Sequence, residues 1–341
     1  MADFDVAVVG GGPGGSAAAI TCARAGLKVA LLERSPFPRP HPGETLHPGV
    51  EPILKTLEAW DAVRQANFLR HRGHSIRWFD AERFEAFGAD ASGDWLGFQA
   101  WRADFDAILL ERAARAGACV LQPCQALRPV VASGKVTGVE TNRGTIAARY
   151  VADASGSARW LERHLKLQVQ TLTPRWIVRY GYGEGECPAR DDSPLICADA
   201  EGWTWTARVR PHLYQWTRLW LTEPQSRADW KPEAFRQLQP VGFPRSAEVT
   251  WRIALEAAGP GYFIIGDAAA TLDPASSHGV LRALMSGMMA GQSIAKAMQL
   301  GLDPAEGGAF YRAWLQQWFF HDANRLKALY SHFPTVPQWL F

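Results

Sequence analysis

The stretch Gly10-Gly11-Gly12-Pro13-Gly14-Gly15 limits what this chain can fold into more than any other part of it. It satisfies G-x-G-x-x-G through Gly10, Gly12 and Gly15, between an apolar run at 4–9 (FDVAVV) and a small-residue segment at 14–25 (GGSAAAITCARA). The first run is too short for a helix and ends in glycines, so it predicts a buried parallel strand. The second predicts a helix, with Gly26 placed to close it. Residues 28–33 (KVALLE) predict another buried strand, and a right-handed crossover then makes the sheet parallel. In such a unit Gly10 allows the tight turn, Gly12 lets the backbone approach a pyrophosphate, and Gly15 lets helix and strand pack closely. Pro13 and Gly14 fall at the helix N-terminus, whose free N–H groups and positive dipole end suit phosphates. Glu33 ends the second strand about twenty residues on, where its carboxylate can accept both hydroxyls of an unphosphorylated ribose. Arg34 follows it and joins the candidate cofactor residues.

Bulk properties exclude several classes. Hydrophobic residues at 47% and charged residues at 21% rule out a disordered chain. A net charge of +2 gives no reason to expect nucleic acid. The five cysteines (Cys22, Cys119, Cys124, Cys187, Cys197) form no C-x-x-C pair, so neither a metal site nor a disulfide framework is expected. The acidic start, MADFD, lacks the features of a signal peptide, and no run approaches the ~18 apolar residues of a membrane span. A reduced cytoplasmic protein is the expectation. Seven of the fifteen tryptophans crowd into 176–251: Trp176, Trp203, Trp205, Trp216, Trp220, Trp230 and Trp251. They fill either a core beside a large cofactor or an aromatic substrate pocket.

Along the chain, the proline-rich stretch 34–48 reads as an extended loop. Residues 103–116 predict a helix closed by Gly117, and 127–132, 135–141 and 144–152 predict short strands. Residues 174–253 predict a mostly antiparallel sheet. A buried strand returns at 262–265, then a long helix over about 279–299 and a helical, aromatic tail over 305–333. The layout is therefore discontinuous. Residues 1–75, 100–170 and 255–300 form a dinucleotide-binding domain, 76–99 and 171–254 a substrate-binding sheet domain, and 301–341 a helical tail.

A glycine fingerprint does not separate NAD from FAD, and the segment GDAAATLDP does. Gly266-Asp267 is followed by six residues and Pro274, then by Ser276-Ser277-His278-Gly279. Here the sequence resembles the large family of FAD-dependent aromatic hydroxylases, geranylgeranyl reductases and tryptophan halogenases. The resemblance implies an α/β fold: a glutathione-reductase-type FAD-binding Rossmann domain with an inserted, mostly antiparallel sheet and a helical C-terminal tail. It implies that Gly266 and Asp267 bind the ribityl side of FAD. It also implies that Pro274, Gly279 and Val280 lie against the isoalloxazine at a helix N-terminus. Trp101-Arg102-Ala103-Asp104 is similar to the family's arginine-led helix start, so Arg102 is expected at the cofactor. Asp153-Ala154-Ser155-Gly156 is similar to its DG segment, with the aspartate one place early, as in reductases and halogenases. Gly43-Glu44-Thr45-Leu46 resembles its GE segment, which places Glu44 beside the flavin.

Gly202-Trp203-Thr204-Trp205 is similar to the strand that walls the flavin from the substrate chamber in flavin halogenases. Those enzymes also need a lysine after the GE segment. Here that stretch reads Phe68-Leu69-Arg70-His71-Arg72-Gly73-His74, and the nearby Lys55 is expected to be a solvated side chain. The short length, the P-x-S-S-x-G turn and a tail with Trp314, Trp318, Asp322 and Tyr330 before a proline-rich stop most resemble flavoprotein maturases. These hydroxylate a tryptophan of a partner enzyme while its tryptophylquinone forms. The expectation is therefore a monooxygenase that uses a flavin hydroperoxide to hydroxylate an aromatic group, either a small indole or a side chain of a partner oxidase or peptide. Electrons are expected from external NAD(P)H or a flavin reductase. His47 and His278 are the candidate proton shuttles. The alternatives are a tryptophan halogenase, a geranylgeranyl-reductase-like enzyme and a non-catalytic flavoprotein chaperone.

Overall fold

The computed structural model describes residues 3–39, 41–79, 81–221, 230–302 and 307–333. The N-terminal unit forms as its sequence dictates. Strand Phe4–Val9 leads into helix Pro13–Arg24 and strand Val29–Leu32, and the two strands pair in parallel. Their apolar side chains are buried because the sheet is covered on both faces. Strand Gly144–Asp153 pairs in parallel with Phe4–Val9 on one side and with Tyr262–Ile264 on the other, so residues distant in sequence complete the sheet. Strands Ala126–Ala132, Lys135–Thr141 and the start of Gly144–Asp153 form an antiparallel meander.

Helix Pro13–Arg24 carries Ala17, Ala18 and Ala19, all fully buried, and crosses helix Gly279–Leu300 at close range. The approach depends on glycine: a Cβ on Gly287 would stand 2.1 Å from the Gly14 carbonyl oxygen. Gly14 in turn leaves room for Ile265 and Ala283, so the glycine loop and the GD segment abut. That contact brings the two motifs of the sequence to one place.

A second sheet of seven strands has the order 239–248, 177–184, 213–220, 202–210, 195–199, 73–78, 83–86. Every pairing in it is antiparallel except that between 195–199 and 73–78. The arrangement is the α/β fold expected, with the antiparallel sheet and C-terminal helices in place. One local difference appears in the proline-rich loop, where Glu44–Leu46 pairs as a short strand with Gly97–Ala100. The tail is a helix, Ala309–Tyr330, that buries Tyr311, Leu315, Phe319, Ala323, Leu326 and Tyr330 along one face at helical spacing. The proline-rich stop after Phe333 lies outside the described residues. Among the described residues, no helix is long and apolar enough to cross a membrane, and no group of three or more candidate ligands could hold a metal ion.

Candidate functional site

A cavity of about 430 Å³ opens over the end of the parallel sheet. Its walls hold Gly10, Gly12, Pro13, Gly14, Glu33, Arg34, Glu44, Arg102, Gly266, Asp267, Gly279 and Val280, so the two motifs and both loops converge on one space. Gly10 has φ +106, and a Cβ there would meet the Ala154 carbonyl oxygen at 2.4 Å. Gly15 lies behind the cavity, where a Cβ would stand 1.9 Å from the Gly10 oxygen, which is the packing role read from its position. The helix starting at Pro13 has no side-chain cap, so its N-terminus faces the cavity bare. The Glu33 carboxylate accepts from Gly11 N–H and Ser35 N–H, both at 2.9 Å, which fixes its direction. A bare helix N-terminus, backbone without Cβ atoms and an oriented carboxylate fit the phosphates and ribose of a dinucleotide.

Asp153 stands just outside the lining and is fully buried. Its carboxylate accepts from Ser155 and Leu161 backbone N–H groups at 2.9 and 2.7 Å, and so shapes the Ala154–Ala158 turn that does line the cavity. Arg102 is nearly buried and donates to both oxygens of Asp106, at 2.7 and 2.9 Å, and to Glu44 at 3.3 Å. Burial opposes its charge, but Asp106, Glu44 and Asp267 more than offset this and raise its pKa. Asp267 is accessible to the cavity yet enclosed by protein, and burial raises its pKa against the pull of Arg102, Arg252 and Arg282.

A second cavity of about 250 Å³ adjoins the first. Glu44, Ser157, Gly266, Asp267, Gly279 and Ala283 line both, and mark the passage between them. With Asp267, Glu44 is one of the two carboxyl groups at that passage among the described residues. Its side chain keeps 36% of its surface open, and burial pushes its pKa up to about 7 against the opposing Arg102. Gln215 holds this segment by accepting from Gly43 N–H at 2.8 Å.

Trp203, Trp205 and Pro274 line the second cavity. Trp203 is fully buried, and its indole N–H donates to Tyr330 Oη at 2.9 Å. The Tyr330 hydroxyl donates to Asp273, whose other oxygen accepts from Ala275 N–H at 2.8 Å. The tail helix therefore fixes both the tryptophan wall and the residue before Pro274. Asp273 is buried, and desolvation raises its pKa to about 6 despite these donors. The other crowded tryptophans have separate places. Trp176 and Trp251 pack on Tyr330, whereas Trp220 and Trp230 flank the buried Arg218 guanidinium. Most of the cluster therefore lies in the core, whereas Trp203 and Trp205 line a cavity.

His47 and His278 lie together, ring centroids 6.4 Å apart, outside both joined cavities. His278 lines a third cavity, and burial and Arg282 push it down to about 4, so it is neutral. Burial also lowers His47. Lys55 is 59% exposed and paired with Glu51, and no lysine is among the described residues that line either joined cavity. Gln215 and Arg282 reach the site from other elements with no signal in the sequence, and Trp318 and Tyr330 stood out there only through the resemblance of the tail, not as residues of the site. Asp273 was visible inside the GDAAATLDP segment, but only its burial marks it out.

Residues 5–163 match the family model described as FAD dependent oxidoreductase. Tryptophan 2-halogenase of Chondromyces crocatus is 28% identical over 96% of this chain and 67% of its own length. The 1H-pyrrole-2-carbonyl-(peptidyl-carrier protein) chlorinase of Pseudomonas fluorescens is 26% identical over 99% of this chain and 87% of its own. Among solved structures, the myxobacterial chondrochloren halogenase CndH superposes with a TM-score of 0.85 at 24% identity, covering 96% of this chain and 82% of that one. A geranylgeranyl bacteriochlorophyll reductase-like protein from Thermoplasma acidophilum gives 0.79 at 24% identity, covering 93% and 84%. The glycine cradle, the abutting GD segment and these relatives lead to one conclusion: the chain is an FAD-dependent oxidoreductase, similar in sequence to flavin-dependent halogenases and sharing its fold with them and with a geranylgeranyl-reductase-like protein.

Proposed function

We propose that the chain uses FAD for an oxidative substitution on an electron-rich aromatic ring, held in the second cavity. The observation that carries this is the pair of joined cavities, one with the dinucleotide cradle and the other walled by Trp203 and Trp205. Gly12, Pro13 and Gly14 would hold the pyrophosphate, Glu33 the ribose, Arg102 and Asp267 the ribityl side, and Pro274 to Val280 the ring system. Bound FAD, once reduced, supplies the two electrons that activate O2. The chain's own residues do the rest. The indoles stack on and position an aromatic ring, and they exclude water from the passage. Glu44 takes up or releases a proton there.

Halogenation is the form of this reaction that the relatives favour, since halogenases align over most of the chain. Hydroxylation is the second reading, favoured by one observation: the described walls hold no lysine to capture a hypohalous acid. The test supplies FAD-loaded protein with NADH, a flavin reductase, O2, bromide or chloride, and a panel of indoles and phenols. Mass spectrometry then reads halide incorporation or oxygen addition. A brominated product supports the first reading and an oxygenated one the second. Free peroxide with every ring unchanged would overturn both.

A further inference from the structure

The aromatic cavity has four carboxyl groups among its described lining residues, Glu44, Glu248, Asp267 and Asp273, and a single cation, Arg282. Three of the acids have partners. Glu44 faces Arg102 at 3.3 Å, Glu248 faces Arg175 at 3.6 Å, and Asp273 is bonded to Tyr330. Arg282 is differently placed. Its Nε and Nη2 donate to Asp322 Oδ2 at 3.1 and 2.6 Å, and its Nη1 donates to Ser276 Oγ at 3.2 Å. Those bonds set the plane of the guanidinium and leave one N–H on each of Nη1 and Nη2 unused by them. The side chain is only 13% exposed, and burial lowers its pKa in spite of Asp322 and Asp267.

Two further observations point to a ligand. Trp318 lies against Arg282, whose Cζ is 5.1 Å from the ring centroid, and lines the same cavity. Its indole N–H is buried with no hydrogen-bond partner among the described residues, and such donors are ordinarily satisfied. Arg282 and Ser276 also line the third cavity, of about 270 Å³, which runs between the Pro274–His278 turn and the tail helix. Arg325 lies on that cavity's wall and His278 there is neutral, so with Arg282 it outweighs the one acid, Asp322. Arg282 therefore stands where the aromatic chamber meets a basic outer chamber.

We propose that Arg282, with the Trp318 indole N–H, is the recognition site for a carboxylate carried by the aromatic substrate, whose acidic arm lies toward the third cavity. The proposal rests on the reading of the second cavity as an aromatic substrate chamber. A carboxylate suits the site because a guanidinium presents its remaining N–H groups in a fixed plane that two carboxylate oxygens can match. Orientation follows from charge. Glu44 and Asp267 line the passage on the flavin side and repel an anion, so the arm is sent to Arg282 and the ring is left facing the passage between the first two cavities. An ammonium arm would be drawn the other way and would reverse the ring.

Isothermal calorimetry on the FAD-loaded protein tests this without any turnover. The probes are indole-3-propionate, its primary amide and tryptamine. The acid should bind at least about tenfold more tightly than the amide, as a charged hydrogen-bonded pair implies. R282Q should abolish that preference while changing amide affinity by less than about threefold, since the neutral arm never used the charge. D322N should strengthen acid binding by removing the competing carboxylate. Equal binding of acid and amide, tightest binding of tryptamine, or an acid preference that survives R282Q would each overturn the carboxylate site. If R282Q does not fold, the acid–amide comparison in the unaltered protein and in D322N still decides it. Equal binding of acid and amide removes the anion site alone. Failure of all three probes to bind removes the aromatic reading together with it.

Discussion

Replacing Tyr330 by phenylalanine removes one oxygen from the centre of a buried network, and its cost should depend on pH. In the wild type that hydroxyl donates to Asp273 and accepts from the Trp203 indole N–H. Tyr330 is fully buried and Asp273 is 1% exposed, so water does not replace the lost partners freely. With Asp273 ionised, the change deletes a hydrogen bond to a charge, about 1.5–3 kcal/mol, and leaves the Trp203 donor without that acceptor. We expect a total near 2–4 kcal/mol at pH 8, because the two terms share atoms and do not add fully. Burial raises Asp273 from 3.8 to about 6, so the folded state holds its proton more tightly than the unfolded state. Stability from this group is then complete below about pH 4 and is lost as pH rises through 6, by about 3 kcal/mol in all. Tyr330 is the foremost of the donors that moderate this rise, ahead of Ala275 N–H, Trp203 and Trp251. Without it the folded pKa moves higher still, and the decline runs on toward pH 8. At pH 5, where Asp273 is largely protonated, the deleted bond is a neutral one, and the penalty should shrink by about 1–2 kcal/mol. Urea unfolding of both proteins at equal FAD concentration, at pH 5 and pH 8, measures the difference directly. A penalty equal at the two pH values would refute the reasoning, because it would mean that the hydroxyl serves only packing.

Three further outcomes follow from the site. Gly10→Ala forces a Cβ to 2.4 Å from the Ala154 oxygen at φ +106, so the purified protein should lose most of its flavin, read as the ratio of visible to ultraviolet absorbance. Glu33→Gln keeps the shape but weakens the bonds from Gly11 and Ser35, and FAD affinity measured by flavin fluorescence should fall about tenfold. The visible spectrum of bound flavin should shift with a midpoint near pH 7 as Glu44 ionises, and Glu44→Gln should abolish that step; a shift that survives the substitution would assign the titration elsewhere.

Local chemistry made the cofactor end of this protein readable. Gly10, Gly12, Gly15 and Glu33 lie within one β-α-β unit, where backbone geometry dictates residue type, and the cavity lies over that unit. The second motif was equally plain, because Gly266 to Gly279 is another strand-to-helix turn. The contact between the two was not read from the sequence, although the alanines of helix Pro13–Arg24 and the glycines at 287 and 291 are what the close crossing uses. The tryptophans were readable only in part. Their number implied burial, but whether an indole faces a cavity or a core depends on which strand neighbours it. Trp205 pairs with Thr217 and Trp216 with Thr206, so these two indoles lie on opposite faces of one sheet.

The substrate end was less legible because its groups come together across long separations. Trp203 and Tyr330 are 127 residues apart, Asp273 and Tyr330 are 57 apart, and Arg282 meets Asp322 across 40. No periodicity links such pairs. The tail helix also buries only one face, and its sequence does not show that the hydroxyl of Tyr330 will meet a carboxylate there. The same distance explains why His47 and His278 stood out as proton shuttles. Each sits beside a recognisable motif, yet neither lines the joined cavities, whereas Glu44 lines both. What the fold adds to the motifs is thus a direction: the glycine loop lines one cavity, and the tail helix bonds to the wall, the acid and the cation of the other. On the proposed reading, altering the tail would change the substrate while the glycine cradle stays fixed, and the charge at Arg282 is where such a change should be felt first.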